Sequence, residues 1–202
     1  MIKFHNVEQK TDEWFALKSG VLSASDATAI GANGAGLETL CREKALELIG
    51  VKKESFTNTD TDRGNRLEPV GRAAYEFKTG LSVIEFGFIT NDLYPNAGIS
   101  PDGIIGDDGG CEIKARNNLK HLGLIFGDTK EIPYNQIQMS LMITEREWWD
   151  FISINPDFSK PLFIKRIFPD LKYFAKLQTG IANGNLRIKE LVDEYNNFGS
   201  VK

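Results

Sequence analysis

The sequence predicts a mixed α/β (α+β) fold, a central mixed sheet flanked by helices, on three observations. Apolar residues recur at helical spacing in the first part of the chain. The middle alternates in short strand-like runs separated by Pro, Asn, Asp and Gly, and helix and strand patterns then alternate to the end. With 202 residues, 41% apolar and 10% aromatic, the chain has enough material for one well-filled core, so a single domain is expected over residues 1–202.

Thr11 is placed as the N-cap of a short helix, with Asp12 and Glu13 in its first turn and an end near Gly20. The serines of VLSASDATAI can cap a second short helix, and the GANGAG that follows is a Gly-rich loop without the Gly-Lys-Ser/Thr ending of a phosphate cradle. Leu37 to Ile49 repeats apolar residues at helical spacing and stops at Gly50. A polar loop is expected over 51–65. The next helix then runs over 66–80, with Pro69 in its first turn, where proline loses no internal hydrogen bond. That places Glu68 at or beside a helix N-terminus. LSVIEFGFIT, AGISPDGIIG and GCEIKAR read as strands, whereas NNLKHLGLIFG fits no single pattern. PYNQIQMSLMIT reads as a helix from Pro133, REWWDFISIN and KPLFIKRIF as strands around an NPDFS turn, and Asp170 opens a long polar helix interrupted at GIANGN.

Charge and composition narrow the function. A net charge of −4 and a pI of about 5.3 argue against coating nucleic acid by bulk electrostatics, so local basicity or bound metal would have to hold such a partner. The N-terminus lacks the apolar core of a secretory signal, and no apolar run approaches the roughly 18 residues of a membrane span, so a cytoplasmic chain without a membrane partner is expected. Cys41 and Cys111 fit neither a zinc pattern nor a disulfide framework and are expected as buried, reduced thiols.

The chemistry concentrates in SPDGIIGDDGGCEIKAR, which holds Asp102, Asp107, Asp108 and Glu112, with Lys114 two residues further. On a strand Glu112 and Lys114 share one face, while Cys111, Ile113 and Ala115 form an apolar second face. A tight turn centred on Asp108 and Gly109 would pair Asp102 with Ala115 and put it on the wrong face. A wider reversal over 105–109 pairs Ile104 with Gly110 and sets Asp102 across from Glu112, with Cβ atoms about 4.5–5.5 Å apart. The sequence predicts this second register, which suits two carboxylates and a backbone carbonyl gripping one Mg²⁺ for metal-assisted hydrolysis. Lys114 would orient the attacking water and offset charge growing on phosphorus. A charged hairpin on a solvated edge fits the same residues without chemistry.

Four segments in order, WFALKSGVLSASDA, GNRLEPVGRAAYEFKTG, SPDGIIGDDGGCEIKAR and NQIQMSLMIT, resemble the PD-(D/E)xK nuclease superfamily, and within it the phage lambda-type exonucleases, or viral recombinase and alkaline exonuclease proteins. The resemblance runs from Trp14 to Thr144. It implies a restriction-endonuclease-like core in which Asp102, Glu112 and the Ile113 carbonyl bind metal and Lys114 is the catalytic lysine. Glu68 resembles the family's helical acid, acting through a water or a second ion, and Gln136 the glutamine that completes the site. A pocket for the 5′-phosphate would draw on Ser25, Ser100 and Lys18, the last where arginine is usual; lysine offers a point charge in place of a bidentate fork.

The resemblance further implies a Mg²⁺-dependent exodeoxyribonuclease, with Mn²⁺ as substitute, that degrades one strand of linear duplex DNA from its 5′ end and leaves a 3′ overhang for recombination. A homotrimer, an annealing recombinase as partner, and a bacterial host or phage-infected cell go with it. An endonuclease, a repair exonuclease of other polarity, and a non-catalytic DNA-binding protein are alternatives on the same core. The plainer readings are an i,i+4 pair of Glu68 with Arg72, a helix-face Gln136 and a capping Ser25. Trp148, Trp149 and Phe151 have the chemistry to stack on DNA bases, but on a strand at this position they are expected in the core. Lys160, Lys165, Arg166, Lys172 and Lys176 either track a phosphate backbone or form a solvated face, and His121 is expected to be neither ligand nor base.

Overall fold

A computed structural model describes residues 1–51 and 59–198, and the backbone alone of 59–62. In chain order the elements are β1 (Ile2–His5), α1 (Asp12–Lys18), β2 (Leu22–Ser23), a 3₁₀ turn (Ala24–Asp26), α2 (Ala27–Ala32), α3 (Ala35–Leu48), α4 (Thr59–Thr79), β3 (Phe88–Asn91) and β4 (Ala97–Ile99). There follow β5 (Gly103–Ile105), β6 (Gly109–Ala115), α5 (Asn118–Ile125), α6 (Tyr134–Thr144), β7 (Trp148–Ile154), β8 (Leu162–Ile167) and α7 (Leu171–Asn197). No helix among the described residues is long and apolar enough to cross a membrane.

The mixed α/β architecture holds, as two four-stranded sheets in the orders β1-β3-β4-β2 and β5-β6-β7-β8. The two sheets divide within AGISPDGIIG, expected as one strand. Pro101 has no N–H to give a ladder, so the chain leaves β4 there and enters β5 of the other sheet. In each sheet one parallel pair, β2–β4 or β6–β7, sits among antiparallel ones. One core cluster joins Leu22, Ile30, Leu37, Ile99, Ile137, Leu141, Trp149 and Phe151, from both sheets and the helices between them. A second cluster, Tyr75, Cys111, Ile113, Ile152 and Ile154, packs the opposite face of the second sheet under α4. Trp148, Trp149 and Phe151 are core residues, as expected, and both cysteines are buried free thiols.

Several sequence expectations change. Helix α4 is already formed at Thr59, so Pro69 and Glu68 lie inside it instead of at its start; residues 52–58 of the expected polar loop lie outside the described residues. Proline removes one helical hydrogen bond, but Asn65 and Pro69 are both exposed, so the freed carbonyl faces water while the opposite side of α4 docks on β6. The GIANGN interruption is absent: α7 is continuous, and its glycines serve packing. A Cβ on Gly180 would stand 1.9 Å from the Ile30 carbonyl oxygen of α2, so only glycine permits this approach. NNLKHLGLIFG becomes α5, started by the Asn117 side chain accepting from the Lys120 N–H. Only the end of LSVIEFGFIT forms a strand, and β1 and β2 carried no sequence signal that we read.

Candidate active site

Two strands and two helices converge on Glu112. The β5–β6 ladder pairs Gly103 with Cys111, Ile104 with Gly110 and Ile105 with Gly109, which is the wider register; continued by one residue it sets Asp102 across from Glu112. Past the end of that ladder the Ile113 N–H donates to Asp102 Oδ2 at 2.6 Å. N–H and C=O of one strand residue point to the same side, so the Ile113 carbonyl faces this same vacated edge.

Glu112 is 1% exposed, and a carboxylate so deep needs donors. Lys114 Nζ lies 2.5 Å from its Oε1, and Gln136 Nε2, from the first turn of α6, donates to the same oxygen at 2.7 Å. Both donors use Oε1, and no hydrogen bond among the described residues engages Oε2. Glu112 drives the Lys114 pKa upward against the opposing effect of burial, which keeps the ammonium charged.

The acids of this corner are short of positive charge. Burial, then the negative charge of Glu112, pushes the Asp102 carboxyl well above the usual range, with Lys114 and the Ile113 N–H only partly opposing. Burial likewise raises Glu68, against Arg72 and Lys10. A divalent cation would relieve both shifts. Among the described residues no three His, Cys, Asp or Glu side chains form a ready cage. The donor set is two carboxylates and one main-chain carbonyl, all hard oxygens, which fits a cation such as Mg²⁺ that keeps several of its waters.

Glu68 faces this corner from the middle of α4, where its Oε1 accepts from Arg72 Nη2 at 3.0 Å. The plain i,i+4 pair is therefore present, but Arg72 is 12% exposed and also pairs with Glu85, so it belongs to a partly buried network.

The other three predicted residues gather less tightly. Trp14 Nε1 donates to Ser100 Oγ at 3.0 Å and to the Gly87 carbonyl, and Lys18 Nζ lies 4.0 Å over the same indole ring. Ser25 does not cap its helix; its hydroxyl meets Ser23 Oγ at 2.7 Å, and Ser23 donates to Asp26. No hydrogen bond links Ser25 directly to Lys18 or Ser100 among the described residues. Lys18 has no carboxylate within ion-pair distance there, and burial, then Lys44, lowers its pKa to about 8.

The basic run divides. Arg166 pairs with Asp150 through two bonds of 2.9 Å and stacks 3.6 Å over Trp148, whereas Lys160 and Lys165 are exposed and form no ion pair among the described residues. His121 is buried, its Nδ1 within hydrogen-bond distance of Ser153 Oγ at 2.8 Å, and burial lowers its pKa. Sequence reasoning missed Trp14 as the link between Lys18 and Ser100, and Gln9, whose amide donates to the carbonyl of Pro101 at 3.1 Å. Trp14 opens a segment already singled out, so its position was the available signal; Gln9 offered none.

The fold and this corner together define a protein with a PD-(D/E)xK-type nuclease core: an acid beyond one strand end, an acid and a lysine two apart on the next, and a glutamine from a covering helix. Residues 13–147 match the YqaJ-like viral recombinase domain, and the chain belongs to that family. It is similar to the alkaline exonuclease LHK-Exo of Laribacter hongkongensis, at 29% identity and a TM-score of 0.85 over 93% of this chain and 97% of that one. The complex of LHK-Exo with dAMP matches at 30% identity and a TM-score of 0.84, over 93% and 96%. A phage-related exonuclease from Haemophilus somnus 129PT shares the fold at 14% identity, with a TM-score of 0.68 over 87% and 96%. No curated protein sequence matches the chain.

Proposed function

We propose that the chain is a Mg²⁺-dependent 5′-to-3′ exodeoxyribonuclease that acts on ends of linear duplex DNA and leaves 3′ single-stranded overhangs for recombination. The observation that carries this is the convergence of Lys114 and Gln136 on one oxygen of buried Glu112, with Asp102 fixed opposite by the Ile113 N–H. Similarity to an alkaline exonuclease over nearly the whole length supports it.

Asp102, Glu112 and the Ile113 carbonyl would hold Mg²⁺, or Mn²⁺ in its place, with Glu68 reaching it through water or a second ion. Bound there, such an ion supplies polarisation of a phosphate oxygen and a more acidic water. Gln136 and Lys114 fix Glu112 through Oε1, so Oε2 would be the oxygen available to a cation. Lys114, held charged, orients the attacking water and offsets charge on the phosphorus as the bond to the leaving oxygen stretches. Lys18, Ser100 and Ser25, gathered around Trp14 and Asp26, would receive the 5′-phosphate. The 202 residues act as one nuclease domain, three copies form a ring around DNA, and an annealing recombinase in the cytoplasm of a bacterial or phage-infected cell takes up the overhang.

The test is digestion of linear duplex DNA with 5′-phosphate or 5′-hydroxyl ends, and of closed circles, with Mg²⁺ or EDTA, by wild type and Lys114→Ala. Mononucleotides and a surviving strand, dependent on Mg²⁺ and Lys114, are expected. Cut circles would establish an endonuclease instead, and a chain inert under every condition would leave a charged hairpin.

A further inference from the structure

Four described non-glycine residues have positive φ: Lys10, Asn33, Asn96 and Glu145. Asparagine tolerates this region, and Asn33 and Glu145 also terminate α2 and α6 as left-handed caps. Lys10, at φ 70°, has neither excuse: it precedes Thr11, the N-cap of α1, in a conformation that glycine adopts freely and lysine does not. Strain of this kind persists where the side chain is needed.

What the side chain reaches is the rim of the candidate site. Lys10 lines a cavity of about 430 Å³ together with Gln9, Asn65, Glu68, Arg72 and Glu85. Its ammonium donates to Asn65 Oδ1 at 2.9 Å and has no carboxylate within ion-pair distance among the described residues. Glu68 nonetheless feels its charge. Gln9 pins the turn from behind, donating to the carbonyls of Phe86 at 3.3 Å and of Pro101, the residue before Asp102, at 3.1 Å. A cation that pairs with no carboxylate among the described residues thus stands on a turn that Gln9 fastens to the carbonyl preceding Asp102, and it lines the same cavity as Glu68.

We propose that Lys10 is a further substrate-binding residue, whose ammonium takes a backbone phosphate of the DNA strand being cut, close to the Asp102–Glu112 corner. This rests on the nuclease reading above. The competing role is a structural tie from the turn to α4 through Asn65, and two variants separate the roles. Lys10→Gly relieves the backbone and removes the ammonium; Asn65→Ala breaks the tie and keeps the ammonium.

The experiment uses the full chain: melting temperature, steady-state digestion of linear duplex DNA with Mg²⁺, and duplex binding by fluorescence anisotropy across a KCl series in EDTA. Lys10→Gly is expected to melt at the same or a higher temperature, raise KM about fivefold to tenfold, and reduce the salt slope by about one counter-ion. Asn65→Ala should leave KM and the slope at wild-type values. Unchanged KM and slope in Lys10→Gly, or the same loss in Asn65→Ala, overturns the inference while leaving the nuclease reading intact. A wild-type chain that neither binds nor digests DNA overturns that reading, and Lys10 with it.

Discussion

Replacing Lys18 by arginine should flatten a pH response that the wild-type chain shows. The Lys18 ammonium lies over Trp14, faces Lys44 and Glu47 of α3 and Asp26 of the 3₁₀ turn, and has a pKa lowered to about 8, by burial first and Lys44 second. About nine-tenths of it is charged at pH 7 and about one-tenth at pH 9. If it receives the 5′-phosphate, the ratio of kcat/KM for phosphorylated over hydroxyl ends should fall about tenfold between those values, because kcat/KM follows ionisation of the free enzyme. Taking the ratio cancels the pH dependence of the chemical step. Lys18→Arg stays charged throughout, so its ratio should remain flat.

The sign of the stability effect follows from the same shift. The folded pKa lies below the ordinary 10.5, so the fold bears the burden of a desolvated ammonium below about pH 8 and loses it as pH rises toward 10.5. The drop corresponds to about 3 kcal/mol at most. Partial exposure reduces this to about 1 kcal/mol. Lys18→Met should therefore melt about 2–4 °C higher at pH 7, with the gain fading from about pH 8 and gone by about pH 10.5. A wild-type end preference that is absent at pH 7, or flat from pH 7 to 9, refutes the assignment of Lys18 to the phosphate.

Three other perturbations test the corner and its frame. Asp102→Asn keeps an oxygen for the Ile113 N–H but removes a carboxylate whose pKa is raised, so it should abolish digestion and Mn²⁺ binding by electron paramagnetic resonance while raising the melting temperature without metal. A fall in that temperature would count against charge crowding. Gln136→Leu deletes one hydrogen bond to a carboxylate, of the kind worth about 1.5–3 kcal/mol, and should lower kcat about 10- to 100-fold with KM for DNA little changed; an unaltered kcat would return Gln136 to a helix-face role. Gly180→Ala drives a methyl into the Ile30 carbonyl and should destabilise by about 1–3 kcal/mol, read as a melting temperature lower by about 2–10 °C, whereas an unchanged value would mean that α2 and α7 separate freely.

Period and register made much of the site legible. Glu112 and Lys114 share a face because strand side chains alternate, and only the wider hairpin register brings Asp102 to that face, as the Ile104↔Gly110 pair shows. Thr11 and Asp170 signalled their helices because a capping side chain is a local device, and both accept the expected N–H. Local rules failed where distant packing outweighed them. Pro69 and the glycines of GIANGN read as breaks, yet α4 is held by the second sheet under Tyr75 and Ile113, and α7 by Ile30 and Leu22 against the glycines themselves.

By itself, then, the sequence determined the alternating faces, the hairpin register and the family segments, since each follows from neighbours along the chain. Only the tertiary structure decided that Gln136 and Lys114 share one oxygen of Glu112, that Trp14 joins Lys18 to Ser100, and that Lys10 turns toward the corner. Apart from Lys114 on Glu112 and Lys18 on Trp14, those contacts span 24 to 86 residues of chain, and no local propensity records which distant side chain will fill a given space.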